Sequence, residues 1–149
     1  SKKFTELGIR HALVGGLAVG AYGFVRATKD VDFLLGDEGF EHFSGGIISH
    51  VKGVPSEVAG IRVDAMSEPE EEHLEHALRK ATVSHGIPVA PIEALVYLKL
   101  KSPRPKDALD IIELINEGMD TAFVAEYLRK HAPEALLRKF LKLVSQSAE

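Results

Sequence analysis

Three sets of residues in this chain have the types and spacing to do chemistry: Gly15-Gly16, the pair Asp30 and Asp32, and Asp64. Asp30 and Asp32 open an apolar run, residues 31–35, whose composition predicts a strand. Successive side chains of a strand alternate faces, so Asp30 and Asp32 point one way while Val31 and Phe33 point the other way, into a core. Two carboxylates about 4 Å apart repel by roughly 4 kcal/mol at an effective dielectric near 20, and a divalent cation is the natural group to neutralise them. Solvated acids at a strand edge are the plainer alternative, but the apolar neighbours make an uncompensated carboxylate costly. Asp64 lies in a second strand-like run where Ile61, Val63 and Ala65 share one face and Arg62 and Asp64 the other. If that strand lies beside the first, the three aspartates converge. Gly15-Gly16 allows backbone N–H groups and a helix N-terminus to approach phosphate oxygens, although a Gly pair between strand and helix is most often only a turn. No Gly-Lys-Ser/Thr follows, so it is not a P-loop.

The elements that must position these groups follow from periodicity and breakers. Residues 11–14 read as a buried strand, and Gly15-Gly16 as the turn into a small-residue helix reaching about Gly23. After strand 31–35, Gly36-Asp37-Glu38 breaks the chain ahead of a short helix over 38–43, while 45–55 has no clear preference. Residues 57–66 read as two strands around an Ala59-Gly60 turn. A helix starts at Pro69-Glu70-Glu71-Glu72 and reaches Lys80, with acids in its first turn and Arg79-Lys80 in its last, as the helix dipole favours. A short strand over 82–84 follows. From Pro91 onward the pattern is helical: 92–101, then 105–117 stopped by Gly118, then a helix capped by Asp120 to His131, then 133–145. The stripe Leu136, Leu137, Phe140, Leu141 and Val144 is helix-packing material, for a core or a partner surface. The fold class is α/β (α+β): a small mixed sheet with flanking helices over residues 1–88, then a C-terminal helical subdomain over 89–149 packed on that core.

Bulk properties narrow the function classes. The 149 residues suit one domain, or one domain with a helical appendage, and carry no Cys, which excludes disulfides and thiolate chemistry. A formal charge of -4 without a Lys/Arg-rich tail argues against a large basic nucleic-acid surface. No apolar run approaches a membrane span, and the opening residues lack the hydrophobic core of a signal peptide, so the expected setting is the cytoplasm with no membrane partner.

Taken in order, Val14-Gly15-Gly16-Leu17-Ala18-Val19, then Arg26-Ala27-Thr28-Lys29-Asp30-Val31-Asp32-Phe33, then Arg62-Val63-Asp64 resemble the minimal nucleotidyltransferases of the DNA polymerase beta-like superfamily. The family pattern is strand, Gly-Gly or Gly-Ser, helix, Asp-x-Asp, and a third Asp on a later strand. Leu98-Lys99-Leu100-Lys101 and Arg104-Pro105-Lys106-Asp107-Ala108-Leu109-Asp110 further resemble the branch of abortive-infection (AbiEii-type), type IV toxin–antitoxin nucleotidyltransferases. The likeness runs from about residue 8 to residue 115. It implies that Asp30 and Asp32 hold two Mg²⁺ ions, with Mn²⁺ as substitute, that carry a nucleoside triphosphate such as ATP, and that Asp64 is the third ligand and the candidate base. It implies nucleotide contacts for Gly15, Gly16, Arg26, Thr28, Lys99, Lys106 and Asp107: Lys99 or Lys106 would face the triphosphate and Asp107 would orient the site. Arg26 serves a surface ion pair as readily as a phosphate contact, and Asp110, one turn beyond Asp107, either joins the site or caps a neighbouring helix. Gly16 departs from the many relatives with Ser there, losing a hydroxyl contact, and marks the toxin-like branch.

The implied partners are a nucleoside triphosphate, an acceptor hydroxyl on a tRNA or other RNA end, a protein or a small molecule, and an antitoxin protein. A groove built from Lys99, Lys101, Arg104 and Lys106 would suffice for a short RNA footprint. The competing function is a catalytically silent nucleotide-binding or partner-binding module of the same fold. His73 and His76 sit three apart on the acidic helix, but do not form the His-Glu-x-x-His zinc pattern, and a solvated acidic face is the favoured reading.

Overall fold

The computed structural model describes residues 1–23, 30–40, 48–49 and 54–148. Its described residues divide into two compact units, one from 1–18 and 26–91, the other from 19–25 and 92–149. The fold is mixed α/β. The first unit contains α1 (Lys2–Glu6), β1 (His11–Val14), the start of α2 (Gly15–Ala21), β2 (Asp30–Leu35), a 3₁₀ turn (Asp37–Phe40), β3 (Ile48–Ser49), β4 (Glu57–Val58), β5 (Ile61–Met66), α3 (Glu71–Arg79), β6 (Thr82–Ser84) and β7 (Ile87–Val89). Among the described residues the strands form one seven-stranded sheet in the order β3-β5-β2-β1-β7-β6, with β4 also on β5. β2 pairs antiparallel with β1 and parallel with β5, and β1 pairs parallel with β7, so the sheet is mixed.

Both faces of β2 are covered at its far end: Phe33, Leu34 and Leu35 are buried, and burial lapses toward Asp30. That gradient leaves one end of the strand available for polar side chains. On the face opposite the aspartates, Phe33 meets Phe4 edge-on with ring centroids 5.3 Å apart, and His11 packs against both rings. The β4–β5 connection is the expected Ala59-Gly60 turn: both residues have positive φ, 53° and 81°, as a two-residue hairpin of this twist requires.

Within the first unit the structure departs from the sequence expectations at three places. Of the helix expected over 38–43, the described residues form a 3₁₀ turn, Asp37–Phe40, with a Gly39 N–H to Gly36 carbonyl bond, and 41–43 lie outside the described residues. β7 adds a strand where none is assigned from sequence: His85-Gly86, with φ of 51° and 78°, turns β6 back into a hairpin, and Pro88 is accommodated opposite Val83. α3 does not carry a wholly solvated face, because His73 is buried beside Leu74 and Ala77.

The second unit contains α4 (Ile92–Lys101), α5 (Pro105–Asn116), α6 (Thr121–His131) and α7 (Glu134–Ser147). Pro105 begins α5, where its missing N–H costs nothing, and Asp120 caps α6 by accepting from the Phe123 N–H at 3.0 Å. The helices close on Val96, Tyr97, Leu100, Ile111, Val124, Tyr127, Leu128, Phe140 and Leu143. The stripe on α7 is shifted from the expected one. Leu143 joins Phe140 in the core, Leu136, Leu137 and Val144 pack at its margin, and Leu141 is exposed. Lys139 closes the C-terminal end of α4 by donating to the Leu100 carbonyl at 2.9 Å and the Ser102 carbonyl at 3.3 Å. Among the described residues no helix is long and apolar enough to cross a membrane.

Two groups in the first unit make its stability depend on pH in separate windows. Arg10 donates to Glu38 through Nε at 2.9 Å and to both oxygens of Glu75 at 2.9 and 2.8 Å, tying β1 to the 3₁₀ turn and α3. The Arg10 hydrogen bond holds the Glu38 carboxyl down to about 2, from its ordinary 4.5. A depressed carboxylate stabilises above its unfolded value, so this contribution is intact above pH 4.5 and lost as pH falls toward 2. Burial lowers the His11 imidazole from 6.5, with an opposing hydrogen bond to the Ile9 carbonyl, so the unfolded chain takes up the proton first and stability declines as pH drops below 6.5. In urea titrations, E38Q is expected to flatten the pH 4.5-to-3 limb, by no more than about 1 kcal/mol because the pair is solvent-screened, and H11Q the limb just below pH 6.5.

Candidate functional site

The site begins with the pairing of β2 and β5. Asp30 lies opposite Arg62 and Asp32 opposite Asp64, on neighbouring strands about 4.8 Å apart. Residues opposite one another share a face, and so do residues two apart, so Asp30, Asp32, Arg62 and Asp64 form a two-by-two array on one face of the sheet. Val14, the last residue of β1, lies opposite Asp32 and brings the β1–α2 junction to the same face.

Gly15 is fitted to that junction. Its φ of 73° is in the left-handed region, and a Cβ placed on it would collide with the Asp32 Oδ2 and come within 3.1 Å of the Asp32 Cβ and Cγ. The absence of a side chain therefore serves the turn and leaves room for the carboxylate. Gly15→Ala is expected to destabilise the chain by about 1–2 kcal/mol from backbone strain and to displace Asp32 as well. Chemical denaturation measures the first effect and weakened Mn²⁺ binding the second; a variant as stable as the parent would contradict this geometry.

Arg62 bridges two of the acids. One terminal nitrogen donates to Asp30 Oδ2 at 3.0 Å, and Nε lies 3.3 Å from Asp64 Oδ1. The Asp30 charge, and after it the Asp64 charge, raises the guanidinium pKa above its usual value. Asp64 is 6% exposed, whereas the Arg62 side chain is 62% exposed. Among the described residues no group of three His, Asp or Glu side chains converges on one cation position, and two of these three carboxylates contact Arg62. The donor set nevertheless suits a hard divalent ion: three carboxylates on one face, with oxygen as the only ligand type.

No family model and no curated protein matches the chain. Among solved structures it is similar to an antigenic nucleotidyltransferase-like protein from Paracoccidioides brasiliensis. That likeness covers 93% of this chain and 88% of the other at 15% identity, with a TM-score of 0.45.

The other sequence candidates lie as follows. Gly16 is buried in the first turn of α2. Arg26 and Thr28 lie outside the described residues. Lys99, Asp107 and Asp110 meet within the second unit. The Lys99 ammonium, 7% exposed, donates to Asp107 Oδ1 at 3.2 Å and to Asp110 Oδ2 at 2.9 Å. Ser102 and Arg104 donate to the other Asp107 oxygen at 2.5 and 2.8 Å. Burial pushes the Asp107 carboxyl up, but Ser102, the Lys99 charge and Arg104 together hold it below its ordinary value. Asp110 accepts from Lys99, and Lys106 is exposed. The bridging position of Arg62 was the feature not singled out from sequence, although alternation had already placed it beside Asp64.

Proposed function

We propose that this chain is a metal-dependent nucleotidyltransferase that moves a nucleoside monophosphate from a triphosphate to an acceptor hydroxyl. The observation that carries this reading is the in-register pairing of Asp32 with Asp64, with Asp30 on the same face and Gly15 against Asp32. Asp30, Asp32 and Asp64 would hold Mg²⁺ or Mn²⁺, which when bound neutralises the triphosphate and polarises its α-phosphate. The protein's own part is positional and acid–base. The Gly15-Gly16 junction admits a phosphate next to Asp32, since glycine lets backbone and helix N-terminus approach it. Asp64 would accept the acceptor's proton as the acceptor oxygen bonds to the α-phosphorus; the bond to the β-phosphate oxygen breaks and pyrophosphate leaves with that electron pair.

The resemblance to the toxin-like branch supports an RNA or tRNA end, a protein or a small molecule as acceptor, and a toxin's role opposed by an antitoxin. The test is incubation of the purified chain with each α-labelled nucleoside triphosphate, Mg²⁺ or Mn²⁺, and a mixed acceptor extract. Labelled acceptor with stoichiometric pyrophosphate is expected, and the labelled fraction names the acceptor class. Calorimetric nucleotide binding with no pyrophosphate over hours would identify a silent binding module instead, and neither binding nor transfer would refute both.

A further inference from the structure

The cation sites of the proposed transferase are guarded by a side chain of the protein itself. Arg62 stands opposite Asp30 on the neighbouring strand and two residues before Asp64 on its own, so strand pairing alone aims it at both carboxylates. Its guanidinium spans them, with contacts of 3.0 and 3.3 Å, a reach that the planar fork of arginine suits and a point-like ammonium does not. The side chain is 62% exposed, so it is held there by charge more than by packing, and moving it uncovers little apolar surface. On its other side, in register on β4, Glu57 offers an exposed carboxylate to a guanidinium that has been displaced.

We propose that Arg62 is the resident counter-ion of this site: it holds Asp30 and Asp64 in place before the metal arrives, and the metal binds by displacing it. This rests on the metal-dependent reading above. Counting the described residues of the array alone, Arg62 offsets one of three formal negative charges, and thereby keeps Asp30 and Asp64 aligned at a cost in intrinsic metal affinity. A unit charge about 6 Å from a divalent ion changes its binding about tenfold at the dielectric of water.

The test is Mn²⁺ binding without nucleotide, followed by the electron paramagnetic resonance signal of free Mn²⁺ at constant ionic strength, for the wild type, R62Q and R62K. R62Q is expected to bind about tenfold more tightly than the wild type. R62K is expected to fall between them, because it keeps the charge but not the fork. Circular dichroism of R62Q checks that it is folded, and R62K serves as the independent variant if it is not. Equal or weaker Mn²⁺ binding by both variants would overturn the role of Arg62 while leaving the metal-dependent function standing. Absence of Mn²⁺ binding at millimolar concentration in all three proteins would overturn both.

Discussion

Asp32→Asn is expected to lower nucleotidyl transfer by at least about 10³-fold, equivalent to about 4 kcal/mol of barrier, while leaving the fold within about 1 kcal/mol of the parent. Asp32 is the member of the array that pairs with Asp64 across the strands and lies against Gly15, so among the three acids it joins the proposed cation face to the Gly15 turn. The amide keeps the shape and loses the charge. Because the change also removes one of three like charges from a single face, it relieves repulsion, and a thermal midpoint equal to or above that of the parent is expected. Pyrophosphate release and thermal melting measure the two effects separately. Activity above a tenth of the parent's would remove Asp32 from the chemistry. A collapsed melting curve would instead assign it to the scaffold.

Lys99→Met is expected to act in the opposite sense, costing about 3–5 kcal/mol of stability. The lysine joins two carboxylates, Asp107 and Asp110, that are 2% and 3% exposed. Asp107 retains Ser102 and Arg104 after the change, and Asp110 loses its 2.9 Å contact with the ammonium that joins the two acids. The triple replacement K99M/D107L/D110L is expected to recover most of the loss, since apolar groups of similar volume often substitute for a buried ion network. Urea midpoints of the single and triple variants decide this. If Lys99 served a triphosphate rather than the helices, K99M would weaken nucleotide binding and leave the urea midpoint where it was.

The two clusters also show where sequence reasoning has reach. Asp30, Asp32 and Asp64 could be assigned to strand faces because alternation is a local property, and the Ala59-Gly60 turn declared the β4–β5 hairpin by its chemistry. That β5 lies next to β2, with Asp64 opposite Asp32, is a long-range pairing that local pattern could pose only as a condition. β7 is poorly marked in the sequence because Pro88 interrupts a run of three residues, and His85-Gly86 is a weaker hairpin signal than Ala59-Gly60 flanked by alternating residues. Lys99, Asp107 and Asp110 were visible as charges. Spacing along a helix shows which residues share a face but not how much of that face is buried, and burial is what commits the lysine to its two aspartates. The same limit applied to His73, whose acidic neighbours in sequence disguised an inward-facing position.

The register between β2 and β5 sets unequal tolerances to length change along the chain. Side chains on a strand repeat every two residues, so gaining or losing one residue between Ile61 and Asp64 would turn the third carboxylate to the opposite face, among Val63 and Ala65. The same change at the Ala59-Gly60 turn precedes the pairing and leaves the array intact. Drift in loop length can therefore accumulate around this site without touching it, while a single codon inserted inside β5 disassembles it at once, although every residue that composes it is still present.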